Sequence, residues 1–194
     1  MPELPEVETT RRGIEPHLRG QRVTAVRVHD RRLRWPVTPG LDAALRGQRV
    51  RAVERRAKYL LLRFDCGTLI MHLGMSGNLR VLPRATPLLK HDHFELQLDS
   101  GQVLRLNDPR RFGSCLYTTA DPALHPLLRD LAPEPLEPGF DGAYLQRVTR
   151  RRRVAIKLLL LNGRLITGVG NIYASEALFR AHIRPRRRRV TRWR

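Results

Sequence analysis

The chain has 194 residues, 41% of them hydrophobic, and carries 37 Lys and Arg against 18 Asp and Glu, a formal charge of +19. This length and apolar share suit one good core, or one domain with a smaller neighbour, and exclude a disordered chain. No apolar run approaches a membrane span and no secretory signal opens the chain, so a cytoplasmic protein without a membrane partner is expected.

The charge itself asks for a polyanion, because a strongly positive field attracts phosphates and releases their condensed counterions. Arginine, which supplies most of it, forks onto phosphate and stacks on bases where lysine does so poorly.

In chain order, Met1-Pro2-Glu3 comes first. Removal of Met1, which a small second residue permits, would turn the Pro2 nitrogen from an amide into a secondary amine. Such an amine titrates near neutral pH. Its unprotonated fraction can attack an aldehyde-level carbon and form an iminium ion, a strong electron sink. Glu3 sets a carboxyl group one residue away for proton transfer at the same carbon. Pro5 opens a helix with Glu6 and Glu8 in its first turn, Val7, Ile14 and Leu18 on one face, and Gly20 as its stop.

From Val23 to Tyr117 the pattern is that of strands. Val23–Val28, Gln48–Glu54, Tyr59–Phe64, Thr68–Leu73, Asn78–Leu82, His93–Leu98, Gln102–Asn107 and Gly113–Tyr117 are short and apolar or alternating. Asp65-Cys66-Gly67 and Asp99-Ser100-Gly101 punctuate them as turns. Cys66 and Cys115 read as reduced core thiols; neither belongs to a CxxC or Cys/His cluster that could hold zinc.

Five prolines between Pro122 and Gly139 mark a connector and divide the chain into residues 1–135 and 136–194. Beyond it, Tyr144–Leu161 reads as a helix interrupted by the Arg150–Arg153 run. Asn162-Gly163 forms a turn, and Gly168-Val169-Gly170-Asn171 leads into the helix Ile172–Ala181. Seven of the last eleven residues are arginine; that tail is expected to be disordered without a partner. The fold class is therefore α+β: an amino-terminal helix with an eight-stranded antiparallel β-sandwich, followed by a small helical domain.

Six stretches resemble the formamidopyrimidine-DNA glycosylase family, bacterial enzymes that remove oxidised purines. They are Pro2–Thr9, Arg55–Leu60, His72–Gly77, Lys90–His93, Asp108–Gly113 and Gly168–Glu176, in the family's order and near its spacing. Leu4 fits the oxidised-purine branch, since the related pyrimidine-specific enzymes tend to have Gly there. The resemblance implies that Pro2 attacks C1′ of the damaged nucleotide and holds the sugar as an iminium. Glu3 would move protons at the sugar, and Lys58 would assist β-elimination of the 3′ phosphate, with Arg55 and Arg56 pushing its pKa down.

The target nucleotide must be flipped out of the duplex. By the same resemblance Met75, Arg110 and Phe112 fill the gap as a wedge, and His91, Arg152 and Asn171 grip phosphates. The Gly168–Asn171 loop offers backbone N–H groups to an anion at a helix start. His72 and His93 read as structural.

The family's members continue for about a further third of their length, through the second helix of a helix–two-turn–helix element to a four-cysteine zinc finger. The resemblance thus implies a chain shortened at its carboxyl end and carrying no cofactor of its own. Without that finger, δ-elimination loses an arginine thought to assist it, and the apolar face of Ile172–Ala181 loses part of its cover. The expected partner is double-stranded DNA with an oxidised purine or abasic site, bound by a monomer. The implied activity is that of a bifunctional glycosylase and abasic-site lyase of base-excision repair. The competing reading is a remnant that binds DNA through charge and turns over little; a plain basic nucleic-acid-binding module would require all six motifs to be accidental.

Overall fold

The structure is a computed structural model and describes residues 2–187. The chain divides into two compact units at His125/Pro126, earlier than the 135/136 division expected from the proline-rich connector.

In the first unit, helix α1 (Leu4–Leu18) buries Leu4, Val7, Ile14 and Leu18 along one face. Each such side chain contributes about 1.5–3 kcal/mol relative to its exposed state. Glu3 is the N-cap and forms a capping box with Glu6, its own N–H donating to Glu6 Oε2 at 2.9 Å. Pro5 lies in the first turn, where a missing N–H costs nothing. Gly20 leaves the helix at φ +84°, as the stop signal required.

Eight strands follow: β1 (Val23–Val28), β2 (Ala52–Arg56), β3 (Tyr59–Arg63), β4 (Thr68–His72), β5 (Asn78–Pro83), β6 (Asp92–Leu98), β7 (Gln102–Asn107) and β8 (Ser114–Thr118). They form two four-stranded sheets, β1-β6-β7-β5 and β2-β3-β4-β8, with every pairing antiparallel. Their inner faces and the buried face of α1 share one core, with Leu60, Leu62, Leu69, Met71, Phe94, Leu96, Leu104 and Leu106 at its centre. The short helix α2 (Leu41–Leu45) closes this core with Leu41 and Leu45; five residues are too few for a periodic signal. Cys115 is buried in β8, but Cys66 is exposed. The Asp65–Gly67 hairpin sets it outside, so only Cys115 is a core thiol.

Glu8 ties α1 to the second sheet. Its carboxylate accepts from Arg11 at 2.9 Å, from Arg12 at 2.8 Å and from Arg55 of β2 at 3.2 Å. These bonds, Arg11's foremost, hold its pKa down to about 2 from the ordinary 4.5. A carboxyl group depressed on folding stabilises above its unfolded value and loses that contribution as pH falls through the folded one. Thermal stability should therefore decline as pH drops from 4.5 towards 2, and Glu8→Gln should flatten that part of the Tm–pH curve. An unchanged slope in the variant would remove Glu8 from the acid response.

The second unit holds α3 (Gly142–Thr149), α4 (Ile156–Leu160) and α5 (Asn171–Arg180). Asp141 caps α3 by accepting from the Tyr144 N–H at 2.7 Å. The arginine run interrupts the helix as expected, with Arg151 at φ +62°, a conformation no α-helix continues through. Ile156, Leu159, Leu160, Leu165, Ile166, Ala174 and Leu178 form a second core. Beside it lies an apolar groove of about 440 Å³, whose lining includes Phe140, Leu145, Leu160 and Tyr173. The outer face of α5 leaves Ile172 and Phe179 exposed.

Of the arginine-rich tail, residues 188–194 lie outside the described residues, and the backbone of Arg184–Arg187 is hydrogen-bonded. Arg187 N–H donates to the Arg184 carbonyl at 2.9 Å, and the carbonyls of Arg187 and Pro185 accept from Ile156 and Lys157 at 2.9 and 3.2 Å. The first turn of α4 has orphan N–H groups, and this segment accepts from two of them.

Candidate active site and nucleic-acid interface

The start of α1 brings three sequence-derived candidates into one neighbourhood. Pro2 is half-buried and leads into Glu3, which is 1% exposed. Lys58 stands on the two-residue turn joining β2 and β3, where Ala57 takes φ +54° and its carbonyl accepts from Arg55 at 2.9 Å.

Burial pushes the Lys58 ammonium below the ordinary lysine range, while the carboxylates of Glu3 and Glu6 oppose the shift. The direction is as expected and the cause is not. Arg55 turns to Glu8 and to the turn carbonyl; desolvation, rather than a neighbouring cation, lowers Lys58.

His72 ends β4 opposite Tyr59, with ring centroids 4.9 Å apart. Burial first, then the charges of Lys58 and Arg34, push its pKa down to about 4 against the pull of Asp108. The ring is neutral at physiological pH, and its Nδ1 accepts the Gly74 N–H at 2.9 Å, leaving the proton on Nε2. His72 thus bonds the loop that follows β4 while feeling the Lys58 charge. A functional place for Arg34 and Tyr59 was not legible, because each is an ordinary member of an apolar-basic stretch.

Met75, Arg110 and Phe112 are gathered by their backbones. Gly74 takes φ +61°, and a Cβ there would stand 2.4 Å from the Phe112 carbonyl carbon. A Cβ on Gly113 would lie 2.7 Å from the His72 carbonyl oxygen. Such contacts admit only glycine. Ser76 Oγ donates to Asp108 Oδ1 at 2.9 Å and accepts the Arg110 N–H at 3.3 Å. Asp108 Oδ2 takes the Gly113 N–H at 2.7 Å.

The wholly buried Asp108 therefore stitches the two loops together. Met75 is 42% and Phe112 41% exposed, and the Arg110 guanidinium lies 4.8 Å over the Phe112 ring. Met75, Arg110 and Phe112 are thus exposed side by side on hydrogen-bonded loops.

His91 belongs to the same base. It adopts φ +75°, and its carbonyl accepts from Asp108 N–H at 3.0 Å. The loop before it is clamped by polar residues of β6 and β7, of which Arg105 and Asp92 are buried. Arg105 donates to the Pro87 and Thr86 carbonyls at 2.9 and 2.7 Å and to Glu95 at 2.6 Å. Asn107 donates to the Lys90 carbonyl at 3.0 Å, and Asp92 accepts from Leu89 N–H at 3.0 Å. Arg105 and Asp92 had no assigned role. A charged residue inside the apolar run Val103-Leu104-Arg105-Leu106 was the available signal, since burial without partners would be costly. His93 is structural, its Nε2–H donating to the Asp108 carbonyl at 2.9 Å.

Arg152 and Asn171 lie in the second unit. Arg152 is exposed just past α3, its Nε donating to the Val148 carbonyl at 2.8 Å. Asn171 is the exposed first residue of α5, and its N-cap Gly170 supplies no side-chain bond. The first-turn N–H groups thus receive no side chain from the N-cap position.

A structural zinc site does not fit the described residues. They contain no group of three or more His, Cys, Asp or Glu able to hold a metal ion. Burial also pushes the Cys115 thiol far above its usual range.

A terminal helix capping two antiparallel sheets, followed by a small helical unit, is the architecture of the helix–two-turn–helix DNA glycosylases. Sequence models of the formamidopyrimidine-DNA glycosylase N-terminal and H2TH domains match residues 1–115 and 131–191. The formamidopyrimidine-DNA glycosylase of Stutzerimonas stutzeri is 60% identical over 187 residues, 96% of this chain and 69% of that protein. That of Thioalkalivibrio sulfidiphilus is 59% identical over the same shares.

Among solved structures, a complex between the Lactococcus lactis Fpg and an abasic-site-containing DNA superposes with a TM-score of 0.88 at 34% identity, covering 96% of this chain and 69% of that one. Another, with a FAPY-dG-containing DNA, also gives 0.88 at 34% and covers 96% of this chain and 71% of that one. The chain belongs to the formamidopyrimidine-DNA glycosylase family, the DNA glycosylases of base-excision repair.

Proposed function

We propose that the chain excises oxidised purines from duplex DNA and cleaves the resulting abasic site, through the amine that Pro2 presents once Met1 is removed. The observation that carries this reading is the junction of Glu3, Glu6 and a desolvated Lys58 at the start of α1. The Pro2 nitrogen attacks C1′ as the glycosidic bond breaks and the base departs with a proton. Opening of the sugar ring then leaves an iminium between Pro2 and C1′. Glu3 moves protons at the ring. Lys58, whose lowered pKa favours a neutral amine, takes the C2′ proton as the 3′ phosphate leaves.

Met75, Arg110 and Phe112 fill the space vacated by the flipped nucleotide. His91, Arg152 and Asn171 hold phosphates, and the protein works as a monomer on bacterial cytoplasmic DNA. The basic surface supplies the sequence-independent part of the affinity.

Borohydride trapping tests this directly, using one duplex with a single oxidised guanine and one with an abasic site. Reduction converts an iminium into a stable adduct. Adducts on both duplexes are expected. An adduct on the abasic duplex alone would overturn base excision while sparing the lyase. No adduct on either, with the amino-terminal proline confirmed by mass, would leave a DNA-binding remnant.

A further inference from the structure

Pro2 lies at the start of α1, whereas Lys58 lies on the turn between β2 and β3. Elimination needs both to face one sugar, so the helix must be fixed against the hairpin. The charges of Glu3 and Glu6 reach Lys58, but a charge at a distance sets no geometry.

Glu8 and Arg55 do. Arg55 Nε donates to Glu8 Oε2 at 3.2 Å, and its Nη1 donates to the Ala57 carbonyl at 2.9 Å. One guanidinium therefore bonds helix and turn together, and its planar fork fixes the two acceptors relative to each other. Arg11 adds a second tie, donating to Glu8 at 2.9 Å and to the Val53 carbonyl of β2 at 3.3 Å. With the Arg55 and Glu8 side chains 13% and 24% exposed, solvent and salt screen the pair less than an ordinary surface pair.

The turn points the same way. Ala57 is buried at φ +54°, a conformation easy for glycine and strained for alanine. Such strain persists where the surroundings hold it, and the Arg55 bond holds the Ala57 carbonyl, next to Lys58.

We infer that Glu8 and Arg55 are positioning residues for the elimination step, their bridge setting the Lys58 amine against C2′ of the sugar carried by Pro2. The inference rests on the reading of the chain as a glycosylase and lyase. In that step the C2′–H bond breaks and its proton passes to Lys58 Nζ. Its electron pair forms the C2′–C3′ double bond as the 3′ phosphate departs with the C3′–O pair. Glu8 and Arg55 act through Lys58, by alignment, and a displacement of about 1 Å in a reacting group can cost roughly 10²-fold. Iminium formation draws on Pro2 and Glu3, both ahead of the bridge in the chain, and is spared.

The test follows one turnover on an abasic duplex with the protein saturating, in wild type, Glu8→Gln and Arg55→Gln. Borohydride quenching reads iminium formation, and strand scission reads elimination. In both variants scission should slow by roughly 10- to 10²-fold while the iminium forms at the wild-type rate, so trapped but uncleaved strand accumulates. The double variant should be no slower than the worse single one, because one bridge is lost once. Trapping and scission reduced in equal proportion, or losses that multiply in the double variant, would overturn the positioning role.

In Arg55→Gln the Glu8 carboxylate keeps Arg11 and Arg12, so no charge is stranded. Arg55→Lys separates alignment from folding further, because it keeps the charge but offers one nitrogen for two acceptors. It should melt close to wild type and still accumulate uncleaved adduct; wild-type scission there would refute the fork. As a control, Arg63→Gln breaks the 2.8 Å bond to Glu54 at the other end of the same hairpin and should leave the ratio of scission to trapping unchanged. A ratio altered as much as in Arg55→Gln would reduce the bridge to general hairpin stability. Unchanged scission in the Glu8 and Arg55 variants, with adduct formed by the wild type, sinks this inference alone. No wild-type adduct, with the amino-terminal proline confirmed by mass, sinks the lyase reading with it.

Discussion

A single extra residue left ahead of Pro2 is expected to abolish borohydride trapping on abasic and oxidised-guanine duplexes, by at least ~10³-fold, while duplex affinity changes little. The reason is electronic. An acylated proline nitrogen shares its lone pair with a carbonyl and cannot open an iminium path, whereas the free secondary amine titrates near neutral pH.

The environment strengthens the contrast. Glu3 is buried at the N-cap and Lys58 is desolvated within reach of its charge, the surroundings that the proposed proton transfers use. Lys58 is itself an amine of lowered pKa, and it is the obvious rival nucleophile. Trapping that survives the extension at wild-type yield would transfer the covalent role from Pro2 to such a lysine. Trapping and duplex binding lost together would show that the extension had disturbed the fold, which thermal melting of the same sample would register.

Gly74→Ala is expected to lower stability by roughly 2–5 kcal/mol and to push the Met75 loop away from the Phe112 backbone, combining left-handed strain with a backbone clash. At φ +61° an L side chain is strained, and the added Cβ would meet the Phe112 carbonyl carbon at 2.4 Å, backbone that no rotamer change can remove. Because Asp108 and Ser76 bind the two loops together, the shift would pass to Arg110 as well. The comparison is Gly101→Ala, at φ +79° with nothing within 4 Å of the added atom. There only the conformational strain applies, about 1–2 kcal/mol. Equal losses in melting temperature at the two positions would contradict the steric account of the paired loops.

These two results bear on different links of the argument. The first bears on the covalent chemistry proposed for the amino-terminal residues. The loop apposition depends on a contact between Gly74 and Phe112, which lie far apart along the chain.

The strands were legible because alternation and turn residues are local. Gln102–Asn107 agrees at both ends, and Val23–Val28 does likewise. Gln48–Glu54 starts four residues before β2. Its opening residues instead bond across to the chain around Val23 and Gln21, a pairing local periodicity does not report. Helix α2 escaped for lack of length. The helix break at Arg150–Arg153 was read from charge, and the positive φ of Arg151 supplied its geometry. The bonds of Arg184–Arg187 were not legible because the orphan N–H groups it satisfies belong to α4, earlier in the chain.

By itself the amino-acid sequence determined the α+β class, the order of helix and strands, the polyanion partner implied by +19, and the residue types able to carry the chemistry. Those are properties of local pattern and composition. The tertiary structure alone decided that burial, not arginine, lowers Lys58, and that His72 is a neutral acceptor. It also decided that Asp108 and Arg105 hold the loops bearing Met75, Arg110, Phe112 and His91. Desolvation and hydrogen-bond partnership depend on what surrounds a group in space, and the surroundings exist only once distant strands have paired.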